Sequence, residues 1–240
     1  HDAMIPSGIT LLDLACTDTT DGFCGVGHGI NVVGDRNSGK TAAAVASAAE
    51  THRRYGDHFD YKLLDLENAY SFNTVALWGA KFAKALEVIP VPHDIGWCTE
   101  AIAAKMVAWM KAKPQFFIVD SVDFLRARKE FANPENLSKD GKKGIDPRAA
   151  ANNFFFRLVV PKLAETGSVL IYLSQARDNI GFGAMFVEKV RSGGRALGYN
   201  AYIELWLSAG KTIKTGGLKV GNWVYAKAER SKANGKKRTV

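Results

Sequence analysis

The segment Gly34-Asp35-Arg36-Asn37-Ser38-Gly39-Lys40-Thr41 constrains this chain more than any other. It fits the pattern G-x-x-x-x-G-K-[ST]. Residues 30–33 before it are mostly apolar with β-branched residues, which predicts a strand. Residues 39–54 after it are rich in alanine and predict a helix. A strand, a glycine loop and a helix in that order turn backbone N–H groups and a helix N-terminus toward a phosphate. The pattern predicts that residues 34–41 bind ATP. Lys40 would reach the β and γ phosphates, and the Thr41 hydroxyl would ligate Mg²⁺.

The rest of the chain alternates. Residues 61–66, 116–119 and 168–173 read as strands, and residues 99–111 and 148–165 as helices, with Pro161 expected to kink or split the second helix. Residues 74–87 carry Val75, Trp78, Phe82 and Leu86 at spacings of three and four, which predicts one helix stopped by Pro90. Thr99 is a candidate cap for the helix that follows. Residues 9–14 read as a short buried element. Residues 126–148 and 176–198 read as loops, and residues 202–207 and 222–228 as late strands. This alternation predicts an α/β fold: a mainly parallel sheet with helices on both faces. No boundary divides the 240 residues, so 1–240 is read as one domain.

Ligands in such sheets gather at the carboxyl ends of strands. Asp120 ends the apolar run 116–119, as a carboxylate on the Mg²⁺ side of the phosphates would. Asp123 beyond it could be a satellite of Asp120, but reads first as a cap or a solvated acid. Glu67 is the candidate general base, with Asp65 as its competitor; strand alternation sends both to one side, so spacing does not choose. Gln175 ends another strand, where it would touch a γ phosphate or cap the strand. Phe154, Phe155 and Phe156 read as core of a helix, and the five tryptophans, including Trp78 and Trp223, as structural.

The formal net charge of +8 suits a polyanionic partner. Two segments concentrate that charge. Lys139, Lys142, Lys143 and Arg148 lie in or beside residues 129–146. Arg177, Lys189, Arg191 and Arg195 share residues 176–195 with Phe182, Phe186, Gly181, Gly183, Gly193 and Gly194. Lysine and arginine neutralise backbone phosphates and aromatic rings stack on bases, so both segments are candidate DNA-binding loops. Three cysteines form no disulfide framework, which points to a reducing interior. No signal peptide is visible and no apolar run is long enough to span a bilayer, so a cytoplasmic protein without a membrane partner is expected. His1 is not a natural start, so trimming is expected there.

Together these residues resemble the RecA/RadA-type recombinases, close to bacterial RecA and its phage-encoded relatives. Ile5-Pro6-Ser7-Gly8-Ile9-Thr10-Leu11-Leu12-Asp13 is similar to the segment before that family's P-loop. Leu64-Asp65-Leu66-Glu67-Asn68-Ala69 is similar to the motif that bears its catalytic base, which favours Glu67 over Asp65. Val119-Asp120-Ser121-Val122 resembles its Walker B segment. Leu173-Ser174-Gln175-Ala176-Arg177 and Ser192-Gly193-Gly194-Arg195-Ala196-Leu197 resemble the ends of its second DNA loop.

The resemblance covers residues 5–235 and implies a RecA-type P-loop NTPase core with antiparallel strands near the C-terminal end. It implies a DNA-dependent ATPase that pairs single-stranded DNA with homologous duplex DNA, with ATP between subunits of a helical filament. Gln175 would couple ATP to the DNA loop. Arg230 and Lys232 match the residues that reach the neighbouring subunit's γ phosphate. A single-strand-binding or loader protein is a further candidate partner, in a bacterial or phage-infected cytoplasm. The family's N-terminal docking helix is not visible before Ile5 and its additional C-terminal domain is missing, so either a trimmed chain or a minimal member is expected. Two other readings share the same site: a ring-forming DNA motor, and a recombinase paralogue or loader that uses ATP as a switch.

Overall fold

A computed structural model describes residues 3–132, 147–178, 189–191 and 195–240. The chain opens with β1 (Met4–Ile5), α1 (Thr10–Thr17), β2 (Cys24–Gly25), β3 (Gly29–Gly34) and α2 (Lys40–Tyr55). It continues through β4 (Asp60–Asp65), α3 (Thr74–Trp78), α4 (Ala80–Ala85), β5 (Leu86–Pro90), α5 (Thr99–Met110) and β6 (Gln115–Asp120). Then come α6 (Arg128–Ala132), α7 (Pro147–Thr166), β7 (Val169–Asp178), β8 (Lys189–Arg191) and α8 (Arg195–Asn200). Strands β9 (Ile203–Thr215), β10 (Leu218–Ser231) and β11 (Arg238–Thr239) close it.

The main sheet runs β11-β10-β9-β3-β7-β6-β4-β5, with β8 paired to β7. Strands from β5 to β9 pair in parallel, while β9, β10 and β11 pair antiparallel. The two faces follow from the period-two geometry of a strand. In β6, Phe116 and Ile118 pack with Val45, Ala48 and Phe82 from α2 and α4. Phe117 and Val119 point the other way, to Ile102, Met106, Phe155 and Val159 from α5 and α7. Covered on both faces, the central strands can be apolar throughout, as parallel strands require. This is the α/β sheet expected from the sequence, with its antiparallel strands at the C-terminal end.

Several elements differ from expectation. Residues 74–87 are not one helix. Gly79 takes φ of +87°, which separates α3 from α4. Leu86–Pro90 leaves helix altogether and pairs with Tyr61–Asp65 of β4. Val75 is 57% exposed, so the apparent stripe does not bury it. Ile9 caps α1 and residues 10–14 form its first part; Leu12, Ala15 and Cys16 are buried while Ile9, Leu11 and Leu14 are exposed. Pro161 sits inside α7, which is continuous from Pro147 to Thr166. Thr99 does not cap α5; its N–H and hydroxyl both donate to the Arg126 carbonyl.

The two segments read as loops also carry regular structure. Residues 128–132 are helix α6. Ala176–Asp178 and Lys189–Arg191 form an antiparallel ladder, because β7 extends past the parallel sheet. The late strands are longer than expected, and Gly216 and Gly217 join them with φ of +57° and +79°. Two consecutive residues in that region make a tight hairpin turn, a signal already present in the Gly-Gly pair.

Candidate functional site at the strand ends

Four neighbouring strands deliver their C-terminal ends to one rim. From β3 the chain enters residues 34–41 and then α2. Gly34 has no room for a side chain: a Cβ there would lie 2.6 Å from the Leu207 carbonyl oxygen. Asn37 and Gly39 both take positive φ, of +59° and +85°. No side chain caps α2, so the N–H groups of its first turn are left to the loop side. The Ser38 hydroxyl is buried without a hydrogen-bond partner. Lys40 Nζ donates to the carbonyls of Gly34 at 2.9 Å and Asp35 at 2.7 Å, folded across its own loop.

The Thr41 hydroxyl donates to Asp120 Oδ2 at 2.6 Å, which brings α2 and the end of β6 together. The Asp120-Ser121 peptide is cis. Burial raises the Asp120 carboxyl to about 6; Glu67 and Asp65 push the same way, against Thr41 and Lys40. Burial also lowers the Lys40 ammonium, while the surrounding carboxylates Asp120, Glu67, Asp123 and Asp35 oppose that shift.

Asp65 and Glu67 take different places. Asp65 is buried and its carboxylate accepts the N–H groups of Ala69 at 3.1 Å and Tyr70 at 2.9 Å. It shapes the turn after β4. Glu67 rides within that turn and lines the cleft. Its Oε1 accepts the Ser121 hydroxyl at 2.8 Å and the Gln175 amide at 3.3 Å. A cleft of about 450 Å³ is lined by residues 36–42, Glu67, Tyr70, Phe72, Asp120 and Gln175. That volume lies in the range of small-ligand sites.

Of the sequence candidates, residues 34–41, Glu67, Asp120 and Gln175 converge on this rim. Arg230 and Lys232 do not line the cleft. Arg230 donates to the Gly198 carbonyl at 2.8 Å and lines a second cleft, with Arg191, Glu204 and Glu229. Lys232 reaches the Tyr199 carbonyl at 3.4 Å. The rim also holds Ser121, which the sequence does not single out and which holds Glu67, and it draws in Asp123. Asp123 is not a solvated acid, since its Oδ2 accepts the Gln175 N–H at 2.7 Å. A turn whose backbone folds Asp123 back toward β7 has no periodic signature in sequence.

The basic residues expected at DNA loops are partly engaged elsewhere. Arg148 pairs at 2.8 Å with Glu130, which is buried, and so joins α6 to α7. Arg191 pairs at 2.7 Å with the buried Glu204, and Lys189 pairs with Asp35 of the glycine loop. A buried carboxylate demands such a cation. Arg177 is exposed. Lys139, Lys142, Lys143, Gly181, Phe182, Gly183, Phe186, Gly193 and Gly194 lie outside the described residues, as does the side chain of Arg195.

A glycine loop from strand to helix, on a mainly parallel sheet with an acidic residue at a nearby strand end, defines the fold of a P-loop NTPase core. The family model described as the RecA N-terminal domain matches residues 3–240. The chain belongs to that family. Its relatives include Protein RecA of Gloeobacter violaceus, 28% identical over 229 residues, which are 95% of this chain and 57% of that protein. Protein RecA of Amycolatopsis mediterranei is 28% identical over 234 residues, 96% of this chain and 61% of that protein. Protein RecA of Salinispora arenicola is 29% identical over 239 residues, 96% and 61% respectively. The chain thus spans about three fifths of the length of these curated relatives. Among the described residues, no helix is long and apolar enough to cross a membrane.

Proposed function

We propose that this chain is the ATPase core of a homologous recombinase: it binds single-stranded DNA, hydrolyses ATP, and promotes pairing and strand exchange with duplex DNA. Residues 1–240 are read as one RecA-like core. The observation that carries the reading is the convergence of Lys40, Thr41, Asp120, Glu67 and Gln175 on one cleft, in a chain of the RecA N-terminal domain family.

The residues present fit a nucleoside triphosphate with a divalent cation. The orphaned Ser38 hydroxyl, the positive φ of Asn37 and Gly39 and the uncapped first turn of α2 leave donors for phosphate oxygens. In this reading residues 34–39 wrap the phosphates with backbone N–H groups, and Lys40 leaves its own carbonyls for the β and γ oxygens. Thr41 and Asp120 would hold Mg²⁺, which supplies charge neutralisation on the phosphates when bound. Glu67 takes a proton from water as that water attacks the γ phosphorus; the bond to the β-phosphate oxygen breaks, leaving ADP and phosphate. Gln175 would sense the γ phosphate and pass its presence to the segment after β7. Arg230 and Lys232, away from their own cleft, would serve the nucleotide of a neighbouring subunit in a filament. The segments 129–146 and 176–195 are the proposed DNA contacts, with Arg177 at the entry of the second.

Fluorescent-nucleotide binding and phosphate release test the site. Wild type should bind ATP with Mg²⁺ and release phosphate. Lys40→Ala should lose tight binding, and Glu67→Gln should bind but release phosphate about 100-fold more slowly, as expected for removal of a general base. Equal phosphate release by Glu67→Gln and wild type would remove Glu67 from this role.

A further inference from the structure

One carboxylate on the rim has no part in the proposed reaction. Asp123 follows Asp120 by three residues, in the turn Val122–Phe124. Its Oδ2 accepts the Gln175 N–H at 2.7 Å, and its Oδ1 is buried without a hydrogen-bond partner. Burial holds its pKa above the usual carboxylate range, and Glu67 adds to that. An acid in this place is a costly way to accept one backbone bond. The turn itself does not need it, since Phe124 N–H reaches the Ser121 carbonyl and Leu125 N–H the Val122 carbonyl through backbone alone.

The bonds around Asp123 close a circuit over three strand ends. The Gln175 backbone donates to Asp123, and the Gln175 side chain donates to Glu67 at 3.3 Å. The Ser121 hydroxyl donates to the same Glu67 oxygen at 2.8 Å. Ser121 and Asp123 ride on one short segment after β6. Glu67 is therefore held from β6 directly, and from β7 only as long as Gln175 keeps its place. Past Gln175, β7 leaves the parallel sheet for its ladder with β8; its register with β3 runs to Gln175, but its register with β6 ends at Tyr172. The Asp123 bond is what ties this outgoing stretch back to β6.

We propose that Asp123 is a positioning residue: it anchors the Gln175 main chain so that the Gln175 amide meets Glu67, and so links the hydrolytic carboxylate to the segment that leaves β7. The proposal rests on the reading of Glu67 as general base. A shift of the segment after β7, such as a bound polyanion would cause, then reaches Glu67 through Gln175, and Asp123 sets the position from which Gln175 moves.

The test combines amide hydrogen exchange at Gln175 with steady-state ATP hydrolysis, with and without single-stranded DNA, in wild type, Asp123→Ala and Asp123→Asn. In Asp123→Ala the Gln175 amide should exchange faster, kcat should fall about tenfold with KM within about twofold, and stimulation by DNA should be lost; a deleted bond to a charged acceptor is of that size. Asp123→Asn keeps an acceptor oxygen and should retain most of the wild-type rate and stimulation. Faster exchange in Asp123→Ala with unchanged kcat and stimulation would overturn the proposal, leaving the bond merely structural. So would Asp123→Asn behaving as Asp123→Ala, because the acceptor would then not be what matters. If Asp123→Ala does not fold, Asp123→Glu, which displaces the acceptor by one methylene, makes the same comparison. Failure of wild type to hydrolyse ATP, with Gln175 exchange still controlled by Asp123, would sink the Glu67 reading and this proposal with it, while leaving the bond itself established.

Discussion

The centre of the sheet and the arm made by β9 and β10 are built from the same kind of backbone but to opposite effect. In β6, residues Phe116 to Val119 are fully buried, walled by helices on both sides. In the outer part of β10, Leu218, Val220, Trp223, Val224 and Tyr225 are exposed, Trp223 by 62%. The arm also carries Lys211, Lys214 and Lys219, with Lys214 directly opposite Lys219 across the ladder. Cross-strand like charges disfavour a hairpin. The contrast teaches where stability and chemistry are joined. The rim carries its polar groups because the packed strands beneath fix their ends, whereas the arm extends beyond that packing and only its base, at Ala226 and Ala228, is buried.

Substitutions can break or sharpen this contrast. The largest effect is expected in β6: Phe117→Ala should lower unfolding free energy by about 3–5 kcal/mol in denaturant titration, the usual cost of emptying a packed aromatic site. Next comes the junction of the two regions. Arg191→Met leaves the buried Glu204 with, among the described residues, only the Trp206 indole N–H, and a loss of about 3 kcal/mol is expected. A loss under about 1 kcal/mol would place that pair with the arm and not with the core.

Asp120 sharpens the comparison in the opposite direction. Its folded pKa of about 6 stands above the model-compound value of 3.8. The folded protein therefore holds this proton more tightly than the unfolded chain. The stability that follows is complete below about pH 4 and is lost as pH rises through 6. Asp120→Asn, measured without added nucleotide or magnesium, should match wild type below about pH 4 and exceed it at pH 8 by up to about 3 kcal/mol. Equal stability at both pH values would mean that the rim does not strain this carboxylate. The smallest effect belongs to the arm: Trp223→Ala should change stability by no more than about 0.5 kcal/mol. A loss of several kcal/mol there would erase the distinction between arm and core.

How much of this was legible follows the same division. The strands of the centre announce themselves as apolar runs, and the glycine loop as a motif whose residue types are set by phosphate geometry. Glu67, Asp120 and Gln175 were found because each ends such a run. What stayed hidden depends on contacts across the chain. The turn that carries Glu67 exists because Asp65 accepts the N–H groups of Ala69 and Tyr70, which no spacing rule states. The role of Asp123 is hidden because nothing local reveals that the Gln175 N–H lies opposite it. Residues 86–90 imitated a helical stripe, and only pairing with β4 makes them a strand. The exposure of Trp223 was hidden for a similar reason: composition does not tell how far a hairpin outruns its sheet.

The central question is whether the rim is a single nucleotide-hydrolysing site that answers to DNA. The direct measurement is the ATP hydrolysis rate with and without single-stranded DNA, using Lys40→Ala as the blank. The account predicts a magnesium-dependent rate that DNA raises and that Lys40→Ala abolishes. A folded protein that binds ATP but hydrolyses it no faster with DNA than without would contradict it, and would favour a paralogue that uses ATP as a switch.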